Sequence, residues 1–321
     1  MKKSLSAILI LAMLVLSSCN TPLATNFDSK IIDNSYNNYI AGGRMAYLYN
    51  SLYICYNVDD YMTLGIYKLN NNGSSPILEN EYKLGDYAFE TPSFYPYKDK
   101  LYVIDIDRGV LLYDEANDKL VDCEYDTMPA YFTDDLKVGW NGDLSIRYKD
   151  KPEIVVEDAY EYYVSDNKVY YVNSDGWLYC LDVEKSDEPE FLSYLYKSPQ
   201  NHIHVIDGKV YFDHDKDYNE RYQTGLYCYS QNDNTIELVL EGEINCLNSY
   251  DDVLYIATDK GIFTEEKQIT TRSAKELYLL DEDWIYAIED DAGHPYRVSF
   301  DGENIEKIDF TLGAKDGKRW N

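Results

Sequence analysis

Histidine is scarce, four residues in 321, and no pair of them falls in an HExxH arrangement. GxSxG elbows and Walker-type glycine loops are missing too, so the chain carries none of the common hydrolase, zinc-peptidase or nucleotide-binding signatures. Six cysteines include no CxxC pair, which removes the usual sign of a structural zinc site. Basic residues number 29 against 58 acidic ones, a formal charge of −29. A surface of that sign repels nucleic acid and favours cations and basic partners. The longest apolar run, Ala7 to Leu16, has ten residues, against the roughly 20 that a membrane-spanning helix needs. A helical hydrophobic period is also missing from the rest of the chain.

What is present begins with that short run. Lys2 and Lys3 precede it, and Leu16-Ser17-Ser18-Cys19 ends it. This resembles the lipobox of bacterial lipoproteins, in which the cysteine is acylated and becomes the new N-terminus. The resemblance implies a signal peptide over residues 1–18, a lipid anchor such as palmitate on Cys19, and residence on the extracytoplasmic face of the cell membrane. Several acyl chains hold stably, because each buried methylene adds about 0.8 kcal/mol. Loss of the two leader lysines takes the charge to −31. Cys55, Cys123, Cys180, Cys228 and Cys246 then remain. An odd number sitting mostly in apolar runs reads as small core residues and not as a disulfide framework.

Tyrosine is abundant, 35 of 321 residues, and it recurs in phase. A turn former, two residues and an aromatic repeat at Tyr53, Tyr102, Tyr170, Tyr211, Tyr255 and Tyr286, with Val138 filling the third place. The intervals run from 31 to 49 residues and average about 39. A glycine opens a further strand in each unit, at Gly65, Gly109, Gly142, Gly176, Gly225, Gly261 and Gly293. Each unit therefore reads as four short strands joined by turns. In HIHVIDGKVYFD the Asp207-Gly208 pair predicts a type I′ turn. That register puts Ile203, Val205, Val210 and Phe212 on one face and His202, His204, Tyr211 and Asp213 on the other.

Four antiparallel strands in units of about 40 residues are the signature of a β-propeller. The expected fold is all-β: a propeller of about seven four-stranded blades over residues 39–312, after a lipid-anchored linker at 19–38 and before a polar tail at 313–321. The third unit, Asp134 to Val156, is the most degenerate and leaves six or eight blades open. VLYIATDKGIF (Val253–Phe263) and WIYAIEDDAGHPYRVSFDGENIEKI (Trp284–Ile308) resemble YWTD-type propeller repeats. They resemble still more the bacterial repeat family of unknown function numbered 5050, over roughly Tyr39 to Phe310. That resemblance implies an extracytoplasmic propeller binding a protein, peptide or glycan, and it transfers no catalytic residue. YWTD propellers have six blades, so a count of seven departs from them.

Candidate chemistry is sparse. Asp213, Asp215 and Asp217 alternate as in a calcium loop, where hard oxygen ligands suit Ca²⁺. Tyr218 stands where that loop needs glycine and Thr224 where it needs a bidentate glutamate. A solvated acidic loop is the simpler reading, and no cofactor is expected. His202 opposite Asp213 makes half a metal site at most, and a half-exposed strand face with one polar pair accounts for it. Trp140, Trp177 and Trp284 have rings that stack on sugars, although Trp177 and Trp284 sit in repeat strands and read as packing residues. Non-enzymatic binding or scaffolding of an envelope assembly is the leading expectation. An extracytoplasmic hydrolase with a cluster of axial carboxylates is the alternative.

Overall fold

The computed structural model describes residues 30, 32–48, 51–57, 64–70, 73–76, 93–105, 109–114, 116–117, 119–123, 129–140, 142–195, 202–215, 223–289 and 294–308. They form seven antiparallel sheets of four strands, each built from one contiguous stretch of chain. The sheets are arranged as the blades of a β-propeller, with the first strand of each blade nearest the axis. These inner strands are Met45–Leu48, Ser93–Tyr97, Pro129–Phe132, Ala159–Ser165, Ile203–Ile206, Cys246–Tyr250 and Glu276–Leu279. The degenerate third unit forms a complete blade, ending in Ile154–Val156.

The repeat tyrosines take one place in this architecture. Tyr53, Tyr102, Val138, Tyr170, Tyr211, Tyr255 and Tyr286 are each the third residue of their blade's second strand. All seven are buried. They fill the space between neighbouring blades, where the six aromatic rings each remove a large apolar area from water. Tyr211 donates to Glu265 Oε1 at 3.0 Å and Tyr286 to Asp281 Oδ2 at 2.5 Å.

The hairpin predicted residue by residue has the expected register. Ile203 pairs with Phe212, His204 with Tyr211, Val205 with Val210 and Ile206 with Lys209. Asp207 and Gly208 both have positive φ, 46° and 73°, as a type I′ turn requires. Of the face carrying His202, His204, Tyr211 and Asp213, His202 is exposed, but His204, Tyr211 and Asp213 are not. All three residues are buried, because in a propeller both faces of a blade are covered by its neighbours. No disulfide joins Cys55, Cys123, Cys180, Cys228 and Cys246.

Blade 7 meets blade 1 without exchanging a strand. Met45, Leu52 and Ile54 of blade 1 pack with Tyr278, Tyr286 and Ile288 of blade 7. An Arg44–Glu276 ion pair crosses the same junction. The chain also closes the ring from within. Residues Ser35–Ile40 form a short helix that lies in the central channel, against the inner strands of blades 1, 2, 6 and 7. The boundary drawn from the sequence between linker and propeller, at residues 38 and 39, falls inside this helix. Cys19, the leader, the acidic residue Asp217 and the C-terminal tail lie outside the described residues. Among those described, no helix is long and apolar enough to cross a membrane.

Candidate functional site

The channel helix is held by side chains and not by its own sequence. SYNNYI is six residues long and offers no charge at either end, whereas an isolated helix needs about 12–15 residues to be even marginally stable in water. Asn38 anchors it. Its amide donates to Leu279 O at 2.8 Å, and its Oδ1 accepts from Leu279 N at 2.8 Å and Asn248 Nδ2 at 2.9 Å. Asn34 donates to Asn248 Oδ1 at 2.9 Å. Tyr36 Oη accepts the Val164 N–H at 3.0 Å, and Tyr163 donates to Asn37 Oδ1 at 2.6 Å. Tyr36 also packs edge-on against Tyr131 at 4.8 Å, and Tyr39 against Tyr95 at 5.7 Å.

These partners share one level of the channel. Ala46, Tyr95, Tyr131, Tyr163, His204, Asn248 and Tyr278 stand directly across the sheet from the seven repeat positions. Tyr95, Tyr131, Tyr163 and Asn248 of this ring of equivalent residues are direct partners of the helix segment.

The helix also sets a direction. Upstream of it, Ile32 N bonds Leu280 O and Lys30 pairs with Glu282, beyond the end of blade 7's inner strand. Downstream, Gly43 O accepts from Phe94 N at the start of blade 2's inner strand. The chain thus threads the channel from one end to the other. Two glycines let it leave. A Cβ on Gly42 would lie 2.8 Å from Glu276 Oε2, and one on Gly43 would lie 2.5 Å from Ser93 Cβ.

Where the helix ends, the channel opens into a cavity of about 420 Å³. Its floor is Ile40, Ala41 and Gly42. Its walls are the first residues of several inner strands: Arg44 of blade 1, Glu161 and Tyr162 of blade 4, His202 and His204 of blade 5, Asn245 and Cys246 of blade 6, and Lys275 and Glu276 of blade 7.

Most charges here are matched. Arg44 Nε donates to both Glu276 oxygens, at 2.8 and 2.9 Å, and Nη2 adds a further bond to Oε1. Tyr278 donates to Glu276 Oε2 and accepts Arg44 N at 3.1 Å. Burial opposes the Arg44 charge, but Glu276 outweighs it and keeps the guanidinium firmly protonated. Lys275 Nζ lies 3.0 Å from Asp259. His202 faces Asp213, which accepts its backbone N–H at 2.7 Å and lies 3.6 Å from Nδ1. Burial works against an imidazolium there, yet Asp213 and Glu161 together raise the His202 pKa above its ordinary value.

Glu161 is the exception. Among the described residues it makes no hydrogen bond and no ion pair. Burial pushes its carboxyl up to about 7, with His202 opposing the rise and Asp213 adding to it. Deeper in the channel, His204 Nε2 lies 2.7 Å from Ser249 Oγ and 3.4 Å from Tyr163 Oη. Burial pulls its pKa down to about 3, so the ring is neutral. Its Nδ1 is buried without a hydrogen-bond partner among the described residues.

Of the acidic-loop candidates, Asp213 is engaged by His202, and Asp215 Oδ1 accepts from Thr224 Oγ1 at 3.3 Å. The described residues include no group of three or more His, Cys, Asp or Glu placed to hold a metal ion. Trp284 lies under the Arg297 guanidinium, 4.3 Å from its ring centre, as a packing residue does. Trp177 differs from that reading: it is 41% exposed and, with Phe191 and Tyr194, makes an aromatic patch on blade 4. Trp140, 37% exposed, stacks on Tyr162 at 6.2 Å. Glu161, Arg44, Lys275 and Glu276 were not singled out by sequence. The one signal available was the lone acid in AYEYYVS, two residues before Tyr163 and so on the same face of its strand.

No family model matches the chain, and no curated protein matches it. Among solved structures, it is similar in fold to a puromycin-hydrolyzing peptidase from Mycobacterium tuberculosis, with a TM-score of 0.52 and 10% identity. That match covers 89% of this chain and 56% of the peptidase chain, so this chain spans just over half the length of that protein. The computationally designed protein Ika8 aligns with a TM-score of 0.49 and 9% identity over 89% of this chain and 88% of its own. BamB from Moraxella catarrhalis aligns with a TM-score of 0.47 and 10% identity over 78% of this chain and 93% of its own.

Proposed function

We propose that the chain is a lipid-anchored, non-enzymatic binding propeller of the extracytoplasmic membrane face, and that it takes a segment of a protein or peptide into the channel mouth. The observation that carries this reading is the threaded helix. It closes the channel and forms the floor of a polar cavity, while Ile32 and Lys30, on the side of the helix toward Cys19 in sequence, sit at the opposite end. A protein tethered at Cys19 would present the cavity away from the membrane.

The carboxylates support binding over hydrolysis. Glycoside hydrolysis needs a pair of carboxyl groups available to the bond being cleaved. Here Glu276 is held by Arg44 and Tyr278, Asp213 is held by His202, and among the described residues lining the cavity only Glu161 is an unengaged carboxylate. The resemblance to YWTD-type repeats and to the family numbered 5050 is consistent with a binding role.

A second reading, scaffolding, is favoured by the exposed Trp177, Phe191 and Tyr194 on blade 4. Exposed aromatic clusters of this kind often mark interaction surfaces. A photo-crosslinking residue in place of Tyr162 tests the channel mouth, and one in place of Phe191 tests the blade. Crosslinks to a peptide or protein from Tyr162 in intact cells are expected. Crosslinks from Phe191 alone would replace the channel reading with the scaffold.

A further inference from the structure

Resting on that channel-mouth reading, we propose that the group recognised there is a primary ammonium, from a lysine side chain or a peptide N-terminus, and that Glu161 is its counter-ion. Three ion pairs border the cavity, Arg44 with Glu276, His202 with Asp213, and Lys275 with Asp259. Each is already matched within the fold. The helix contributes Ile40, Ala41 and Gly42, which carry no titratable side chain. Among the described residues one carboxylate of the cavity wall, Glu161, is left over: no cation is in bonding distance, and His202, which acts on it through space, is paired with Asp213. A desolvated carboxylate of this kind is stabilised by any cation that reaches it.

A second observation points the same way. His204 borders the cavity, is 1% exposed, and keeps an unpartnered Nδ1. Buried polar atoms of this kind are rarely left unbonded. With Nε2–H donated toward Ser249 and Tyr163, Nδ1 is an acceptor. An ammonium has three donors and no acceptor, so it suits the Glu161 carboxylate in the wall, and a neutral His204 beneath it adds no competing positive charge.

Binding then couples to protons. Above pH 7 Glu161 is ionised before the ligand arrives. At pH 6 most molecules must lose the Glu161 proton to bind. Affinity is expected to be about tenfold weaker at pH 6 than at pH 8, with close to one proton released at the lower pH.

The test uses the full chain, a panel of lysine-containing hexapeptides, and the same peptides with every amine acetylated. Titration calorimetry in two buffers of different ionisation enthalpy gives affinity and proton release. The free peptides are expected to bind at least tenfold more tightly than the acetylated ones. Glu161→Gln, which breaks no bond in the fold, should erase the difference and the proton release. Acetylated peptides binding as tightly as free ones would overturn the ammonium inference and leave peptide binding standing. Failure of both sets to bind would overturn both.

Discussion

Asp213 reaches across a strand pair and accepts the backbone N–H of His202 at 2.7 Å. The carboxylate that opens the calcium-like stretch is thus spent on its own hairpin. Asp215 accepts from Thr224 in turn. Millimolar Ca²⁺ should leave the melting temperature where a matched NaCl control leaves it. A ligand that binds only the folded state adds about 2.7 kcal/mol at a hundredfold excess over its Kd. A rise of several degrees, lost in Asp215→Ala, would reveal a metal site.

Glu161 makes stability depend on pH in an unusual direction. Its carboxyl titrates near 4.5 when unfolded and near 7 in the fold. A raised acid pKa favours the folded state while the group is protonated. That contribution is present below about pH 4.5 and is lost as pH rises through 7. Glu161→Gln should match the parent near pH 4 and be more stable above pH 7. With allowance for its partial exposure the gain is about 1–2 kcal/mol. Denaturant melts at pH 4, 6 and 8 read this directly. Equal stability at every pH would show that Glu161 is solvated.

His204 acts at the acid end. It folds as a neutral ring, with its pKa lowered from 6.5 to about 3. Stability from this group is present above pH 6.5 and falls as pH drops toward 3, by about 1.4 kcal/mol for each pH unit. His204→Gln should be less stable at pH 7 and lose stability less steeply between pH 6 and 4. Parallel curves for the two proteins would contradict a neutral buried imidazole.

Asn38 is the strongest polar link between helix and propeller. Asn38→Ala would strand the Leu279 N–H and one N–H of the Asn248 amide, which keeps its bond to Leu277 O. Unsatisfied buried groups cost about 1–3 kcal/mol each. The variant should lose about 2–4 kcal/mol and admit faster hydrogen exchange at Leu279. Unchanged exchange there would mean that the helix is not needed to cover the channel.

The anchor is tested at Cys19. Cys19→Ala should abolish metabolic labelling with palmitate and release the protein from the membrane fraction. Labelling that persists would disprove acylation at this residue.

How much of this was legible in the sequence follows from what each feature depends on. Tyr53, Tyr102, Tyr170, Tyr211, Tyr255 and Tyr286 could be aligned because each blade is one contiguous unit with the same buried need at the same place. Val138 meets that need without the hydroxyl, so the third unit looked weak and yet formed. The channel helix could not be seen. Asn34, Asn37 and Asn38 are poor helix formers, and their partners lie more than 120 residues away. Glu161 gave only the hint of an acid among tyrosines. The cavity collects residues from five blades, and which of them face the axis is decided only when the ring closes.

The threaded helix has a mechanical consequence. Just upstream of Ser35, Ile32 bonds Leu280 at the end of blade 7's inner strand, so a pull applied there is passed to the hub and not to the rim of blade 1. Such a load acts in shear on the Asn38–Leu279, Asn34–Asn248 and Tyr36–Val164 bonds, which must give way together. An edge strand, by contrast, would peel one bond at a time. A tether attached in this way draws the force inward, where blades 4, 6 and 7 take it through these bonds.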